Sequence, residues 1–102
     1  MFNRVSNKAL DEFSKSLAQD LVSRYGVGSE STAHNKKKNR KLGAALDDIY
    51  IKAMDFQREH NLGIYGKARL GNTFKWELKE MGYEDGFIDE ATKGLLVSLN
   101  KA

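Results

Sequence analysis

Four runs of apolar side chains recur at three- and four-residue spacing along this chain, and no proline interrupts any of them. Leu10, Phe13, Leu17, Leu21 and Tyr25 form the first run, widened by Ala18 and Val22. Leu42, Leu46, Ile49, Ala53 and Phe56 form the second; Leu70, Phe74, Leu78 and Met81 the third; Ile88, Ala91, Leu95 and Leu99 the fourth. That spacing stacks each run along one side of a helix and leaves the other side polar. Proline would cut such helices by removing a donor and striking the preceding turn, so its absence agrees with the period. Helices with one apolar stripe must bury it on one another. The expectation is an all-α, compact four-helix domain, roughly up-and-down, with a basic loop between helices 1 and 2.

Local signals place the ends. Ser6 or Asn7 is positioned to cap the first helix, and Gly26 to end it in a left-handed conformation. The stretch 26–35, GVGSESTAHN, is rich in turn formers, and 26–40 reads as a flexible basic loop within a single domain spanning 1–102. The second helix is expected from about Lys41 to Asn61, with "NLG" at 61–63 as its C-cap. Its solvated face carries Asp48, Lys52, Asp55 and Glu59, with Asp48 four residues before Lys52 in the favourable order. "IYI" at 49–51 has strand character, but the longer helical period outweighs it. The third helix is expected from about Lys67 to Met81, ending at Gly82. The fourth is expected from about Gly86 to Asn100, with Asp85 as its cap.

There is no cysteine, which removes disulfides, thiolate metal sites and a cysteine nucleophile together, and makes a cytoplasmic setting the default. "MFNRVSNKALDEF" has no apolar run of signal-peptide length, and no stretch approaches the roughly 18 apolar residues of a membrane span. No membrane partner is therefore expected. The net charge of +3 is unevenly spread. Residues 1–33 contribute 0, residues 34–42 contribute +5 and residues 43–102 contribute −2. One short run, "HNKKKNRK" at 34–41, thus supplies the entire positive balance. A broad basic face of the kind that coats nucleic-acid binders is not evident in the linear sequence.

The third helix carries a second row besides its core stripe. Tyr65, Arg69, Asn72, Trp76, Lys79 and Tyr83 step by four, three, four, three and four, on the side opposite Leu70, Phe74 and Leu78. Two aromatic faces mean that the helix is sandwiched between neighbours or presents one face to a partner. Trp, Tyr and Arg are the residues that concentrate at the energetic centres of protein interfaces. The same residues also suit base stacking beside phosphate-seeking cations. The alternative is that the row packs under the first helix or the long loop. Tyr65, Arg69, Trp76, Lys79 and Tyr83 are the candidate partner-binding residues.

Lys36, Lys37, Lys38, Arg40 and Lys41 are the candidate anion- or nucleic-acid-binding residues. If Asn35 or Asn39 caps the second helix, several of these cations lie in its first turn, against the macrodipole, at about 0.3–1 kcal/mol each. Free N–H groups and lysines would then point the same way, as at an anion site. The alternative is a solvated loop that keeps the protein soluble.

The remaining motifs are weak. Gly63 and Gly66 make a Gly-x-x-Gly, but without the sheet of a KH domain or the strand and spacing of a phosphate loop; glycines with positive φ in a turn between helices explain it better. His34 and His60, the only histidines, stand in no metal-binding motif. Asp47–Asp48 and Asp89–Glu90 are adjacent pairs whose side chains diverge on a helix. No catalytic residue, metal ligand or cofactor emerges, and an enzyme would need a cleft assembled from distant residues. The function expected is a small non-catalytic interaction or regulatory module that binds a protein partner or itself. The alternative is a nucleic-acid binder using 36–41 on phosphates.

Overall fold

The computed structural model describes residues 6–26 and 36–101; the side chains of residues 36–39 and 41 lie outside the description. Among the described residues there are four helices and no strand: α1 (Asn7–Arg24), α2 (Lys36–His60), α3 (Ile64–Met81) and α4 (Asp85–Lys101). The all-α four-helix architecture is as the periodicity implies.

Each boundary has a local cause. Ser6 caps α1, its hydroxyl accepting from the Ala9 N–H at 3.1 Å. At the other end Tyr25 leaves the helical conformation while its N–H still bonds to Leu21 O at 2.7 Å, so α1 stops without the left-handed residue expected at Gly26. α2 begins at Lys36, about five residues before the expected start. No apolar stripe marks those residues, yet lysine and arginine are good helix formers and carry the helix backward past Leu42. Part of the segment expected as a basic loop is therefore helical.

α2 ends at Asn61, whose φ of 51° makes it the left-handed residue of the turn. Its N–H bonds to Gln57 O at 2.7 Å, and the buried Gln57 side chain accepts from Leu62 N–H at 2.9 Å. The positive φ expected from the glycines of Gly-x-x-Gly is thus supplied by asparagine. Gly63 is instead the extended N-cap of α3, and Gly66 sits in the first turn, where a Cβ would come within 3.3 Å of Leu62. α3 starts three residues earlier than expected. Gly82, at φ 102°, ends it as anticipated, with the Tyr83 N–H reaching back to Leu78 O at 3.2 Å in a Schellman-type closure.

The helices alternate in direction along the chain. α1 and α2 are antiparallel, since Phe13 meets Phe56, Asp20 meets Lys52 and Arg24 meets Asp48. α1 and α3 are parallel, joined by Asp11 to Arg69 and by the Ser14 hydroxyl donating to Leu70 O at 2.8 Å. α3 and α4 are antiparallel, with Lys75 beside Asp89 and Lys67 beside Asn100. Close packing runs from α1 to α3, α3 to α4 and α4 to α2, with a narrower α1–α2 seam closing the ring. α2 and α3 are joined by three residues yet lie across the diagonal, so the chain crosses the bundle at Asn61–Gly63.

The core is the four stripes converging. Leu17, Leu21, Ile49, Leu70, Phe74, Leu78, Ile88, Leu95 and Leu99 are fully buried. Burial of each such side chain stabilises by about 1.5–3 kcal/mol relative to exposure. Glycines allow close helix contact at two seams. A Cβ on Gly71 would stand 2.7 Å from Leu96, and one on Gly94 would stand 2.7 Å from Tyr50 Cζ. Tyr50 uses that space to donate its hydroxyl to Ala91 O at 2.9 Å, tying α2 to α4. Burial, with Asp47 and Glu90 nearby, pushes its phenol up to about 12.

Candidate interaction surface on helix α3

α3 buries Leu70, Phe74 and Leu78 against the other helices, which turns the opposite side of its cylinder outward. On that side Tyr65 is 64% exposed and Trp76 is 56% exposed, with Ala68, Asn72 and Lys79 also exposed. The Lys79 ammonium lies 5.6 Å from the Trp76 ring centroid, within cation–π range. Four of the five residues expected as anchors therefore stand on the outer face or at its edge.

Tyr83 is set apart from them. It is 4% exposed, its ring lies 4.9 Å from Phe87, and its hydroxyl donates to Tyr25 O. The turn at Gly82 breaks the helical period before Tyr83 is reached, and the residue falls into the core at the end of α1. It is a core residue and offers no face to a partner.

Arg69 joins the row to α1. Its Nε donates to Asp11 Oδ1 at 3.1 Å and its Nη2 to Asp11 Oδ2 at 3.0 Å, a bidentate pair. The remaining Nη1 donates to the Tyr65 hydroxyl at 3.1 Å, and Thr73 Oγ1 donates to Asp11 Oδ1 at 3.2 Å. The hydrogen bond from Arg69 holds the Asp11 carboxyl below its usual range; desolvation opposes this, while Thr73 adds to it. The hydrogen bond to Asp11, followed by that to Tyr65, raises Arg69 in turn. The guanidinium is thus committed within the molecule, and it fixes the tip of Tyr65 while the ring remains exposed. An aromatic side chain held in this way loses little rotamer freedom on binding.

Asp11 and Thr73 were not among the sequence candidates. Asp11 lies beside the α1 stripe but is flanked by Glu12 and Lys15, and nothing in that local pattern separates it from a solvated acid. Only the parallel α1–α3 packing reveals it.

Of the basic candidates, Arg40 is exposed, and the side chains of Lys36, Lys37, Lys38 and Lys41 lie outside the described residues. Their backbone forms the first turns of α2. His34 also lies outside the described residues. His60 rests on Phe56, ring centroids 4.5 Å apart, and Phe56 stacks on Phe13 at 4.0 Å. Among the described residues no three of His, Asp and Glu are placed to hold a metal ion, and no helix is long and apolar enough to cross a membrane. No protein family, curated protein or solved structure matches the chain.

Proposed function

We propose that this chain is a small, non-catalytic helical interaction module that binds a protein through the outer face of α3. Tyr65 and Trp76 are its anchors, and Arg69 and Lys79 hold them in place. One observation carries this: the chain's only tryptophan is more than half exposed on an ordered helix whose other side is core. A tryptophan facing water forgoes burial that it would gain against a partner, and such residues supply interface energy out of proportion to their number. The absence of cysteine supports a reducing, cytoplasmic setting.

The test places a photo-crosslinking amino acid at Trp76 or, as a control, at Ile51, which is 51% exposed on the outer side of α2. The variants are expressed in cells of the source organism. Adducts from position 76 that weaken with Tyr65→Ala, and none from position 51, are expected. Equal labelling at both positions, or none at 76, would refute the assignment.

A second function is favoured by one finding, the start of α2 at Lys36, which puts Lys36, Lys37, Lys38, Arg40 and Lys41 in the opening turns of a helix of 25 residues. Helix N-termini attract phosphate, and five phosphate contacts on duplex DNA give a log–log salt slope of about −4.5. Retention of the chain on DNA or RNA that shows no salt dependence would eliminate it.

A further inference from the structure

The four seams of the bundle are closed by different means. α1 and α3 are tied from inside, where the buried Ser14 hydroxyl donates to Leu70 O at 2.8 Å. α3 and α4 close over Gly71, which lets Leu96 approach where a Cβ would stand. α2 and α4 close over Gly94, with Tyr50 donating to Ala91 O at 2.9 Å. The α1–α2 seam is the narrowest of the four, and the polar groups that join it lie at its solvent edge. We propose that the bundle opens along this seam, with the charges of Asp20, Arg24, Asp48 and Lys52 as a latch that ionic strength releases.

These charges form one chain that crosses the seam twice. Lys52 of α2 donates to Asp20 of α1 at 2.8 Å, Asp20 pairs with Arg24 one turn on at 3.7 Å, and Arg24 donates to Asp48 of α2. Their side chains are between 24% and 52% exposed, so dissolved ions reach them. Attraction between such charges weakens as the screening length falls from about 10 Å at 0.1 M salt to about 3 Å at 1 M. The neutral hydrogen bonds and glycine contacts inside the other seams carry no such dependence. Ion pairs flank two of those seams as well, Asp11–Arg69 and Lys75–Asp89, but there they add to contacts that salt leaves intact.

Apolar packing across α1–α2 does not replace the latch. Phe13 and Phe56 stack at 4.0 Å, yet both rings are half-buried and lose less on parting than a core pair would. Behind them, Leu17 and Leu21 of α1 and Ile49 of α2 are fully buried. Wetting these side chains keeps the open form a minor one, a local opening below global unfolding. In that form α1 stays on α3 and α2 stays on α4.

With no native cysteine, single thiols report the opening. Ala45→Cys places one on the buried stripe of α2, three residues before Asp48, and Ala91→Cys places another in the α2–α4 seam; both alanines are buried. Labelling by iodoacetamide, a neutral reagent, is timed between about 20 and about 500 mM NaCl, a range that shortens the screening length several-fold. Each rate is divided by that of the same chain unfolded in urea. Salt is expected to accelerate position 45 about fivefold, the size given by screening two exposed pairs, and position 91 less than about twofold. Asp20→Asn combined with Asp48→Asn breaks both crossings, and position 45 should then label at low salt as fast as it otherwise does at high salt. If Ala45→Cys does not fold, Ala53→Cys, two turns along the same buried stripe, reads the same opening. Equal acceleration at the α2 thiol and at position 91 would mean that the whole chain unfolds, and would overturn opening along one seam. No salt response at the α2 thiol, or slow low-salt labelling after both aspartates are replaced, would overturn the latch.

Discussion

Gly94→Ala sets two physical effects against each other, and their signs differ. On an isolated helix the substitution should stabilise, because alanine exceeds glycine in helix propensity by about 0.8–1 kcal/mol. In this molecule the added Cβ would stand 2.7 Å from Tyr50 Cζ and 3.0 Å from Cε2, and closer still to the hydroxyl. Tyr50 is half-buried and bonded to Ala91 O at 2.9 Å, so the ring can move only by giving up that bond and opening the α2–α4 seam. Overpacking costs about 1–3 kcal/mol, and the lost hydrogen bond a further ~0.5–1.5. Less the gain in propensity, a net destabilisation of about 0.5–3.5 kcal/mol is expected. Urea unfolding followed by far-UV circular dichroism measures it as a lower midpoint at unchanged slope. Tyr50→Ala removes the obstruction, so the double variant should show a coupling of at least about 1 kcal/mol. A Gly94→Ala protein as stable as the parent, or more stable, would refute the packing described between α2 and α4.

Three other outcomes follow from the same geometry. Tyr50 has its folded-state pKa raised to about 12. Stability from keeping the phenol neutral is therefore complete below about pH 10 and lost as pH rises towards 12, and Tyr50→Phe should flatten that decline in a pH series of urea midpoints. Asp11 is shifted the opposite way: its contribution is present above the ordinary carboxylate range and lost as pH falls below it. Asp11→Asn should remove this acid dependence in thermal melts and loosen Tyr65, seen as faster ring motion by NMR. Ser14→Ala deletes the buried donor to Leu70 O at 2.8 Å and should cost about 1 kcal/mol in chemical denaturation, with a Ser14→Thr variant costing more because its methyl enters a closed seam.

Some of this was legible in the residues themselves, for physical reasons. The stripes through Leu17, Leu70, Phe74 and Leu95 announce helices because burial enforces a period that survives any tertiary arrangement. Gly82 ends α3 as expected, since a left-handed residue leaves a local signature. Gly63 and Gly66 misled because glycine serves close approach as well as positive φ, and Asn61 took the latter role. The start of α2 was missed because Lys36–Lys41 carry no stripe, only propensity. In the candidate surface, exposure of Tyr65 and Trp76 follows from their angle to the core stripe, whereas Tyr83 lies beyond the turn where that angle no longer holds. Asp11 and Ser14 could not be read in advance. Their roles depend on α1 lying parallel to α3, through contacts between residues 56 and 58 apart that no local pattern encodes.

The outer face of α3 is tested most directly by the fluorescence of Trp76, the only tryptophan in the chain. Iodide quenching is measured from micromolar to millimolar protein. At high dilution the indole should be freely quenched, as expected for a ring 56% exposed. Protection that is already complete at high dilution would make Trp76 a core residue and contradict the placement of α3.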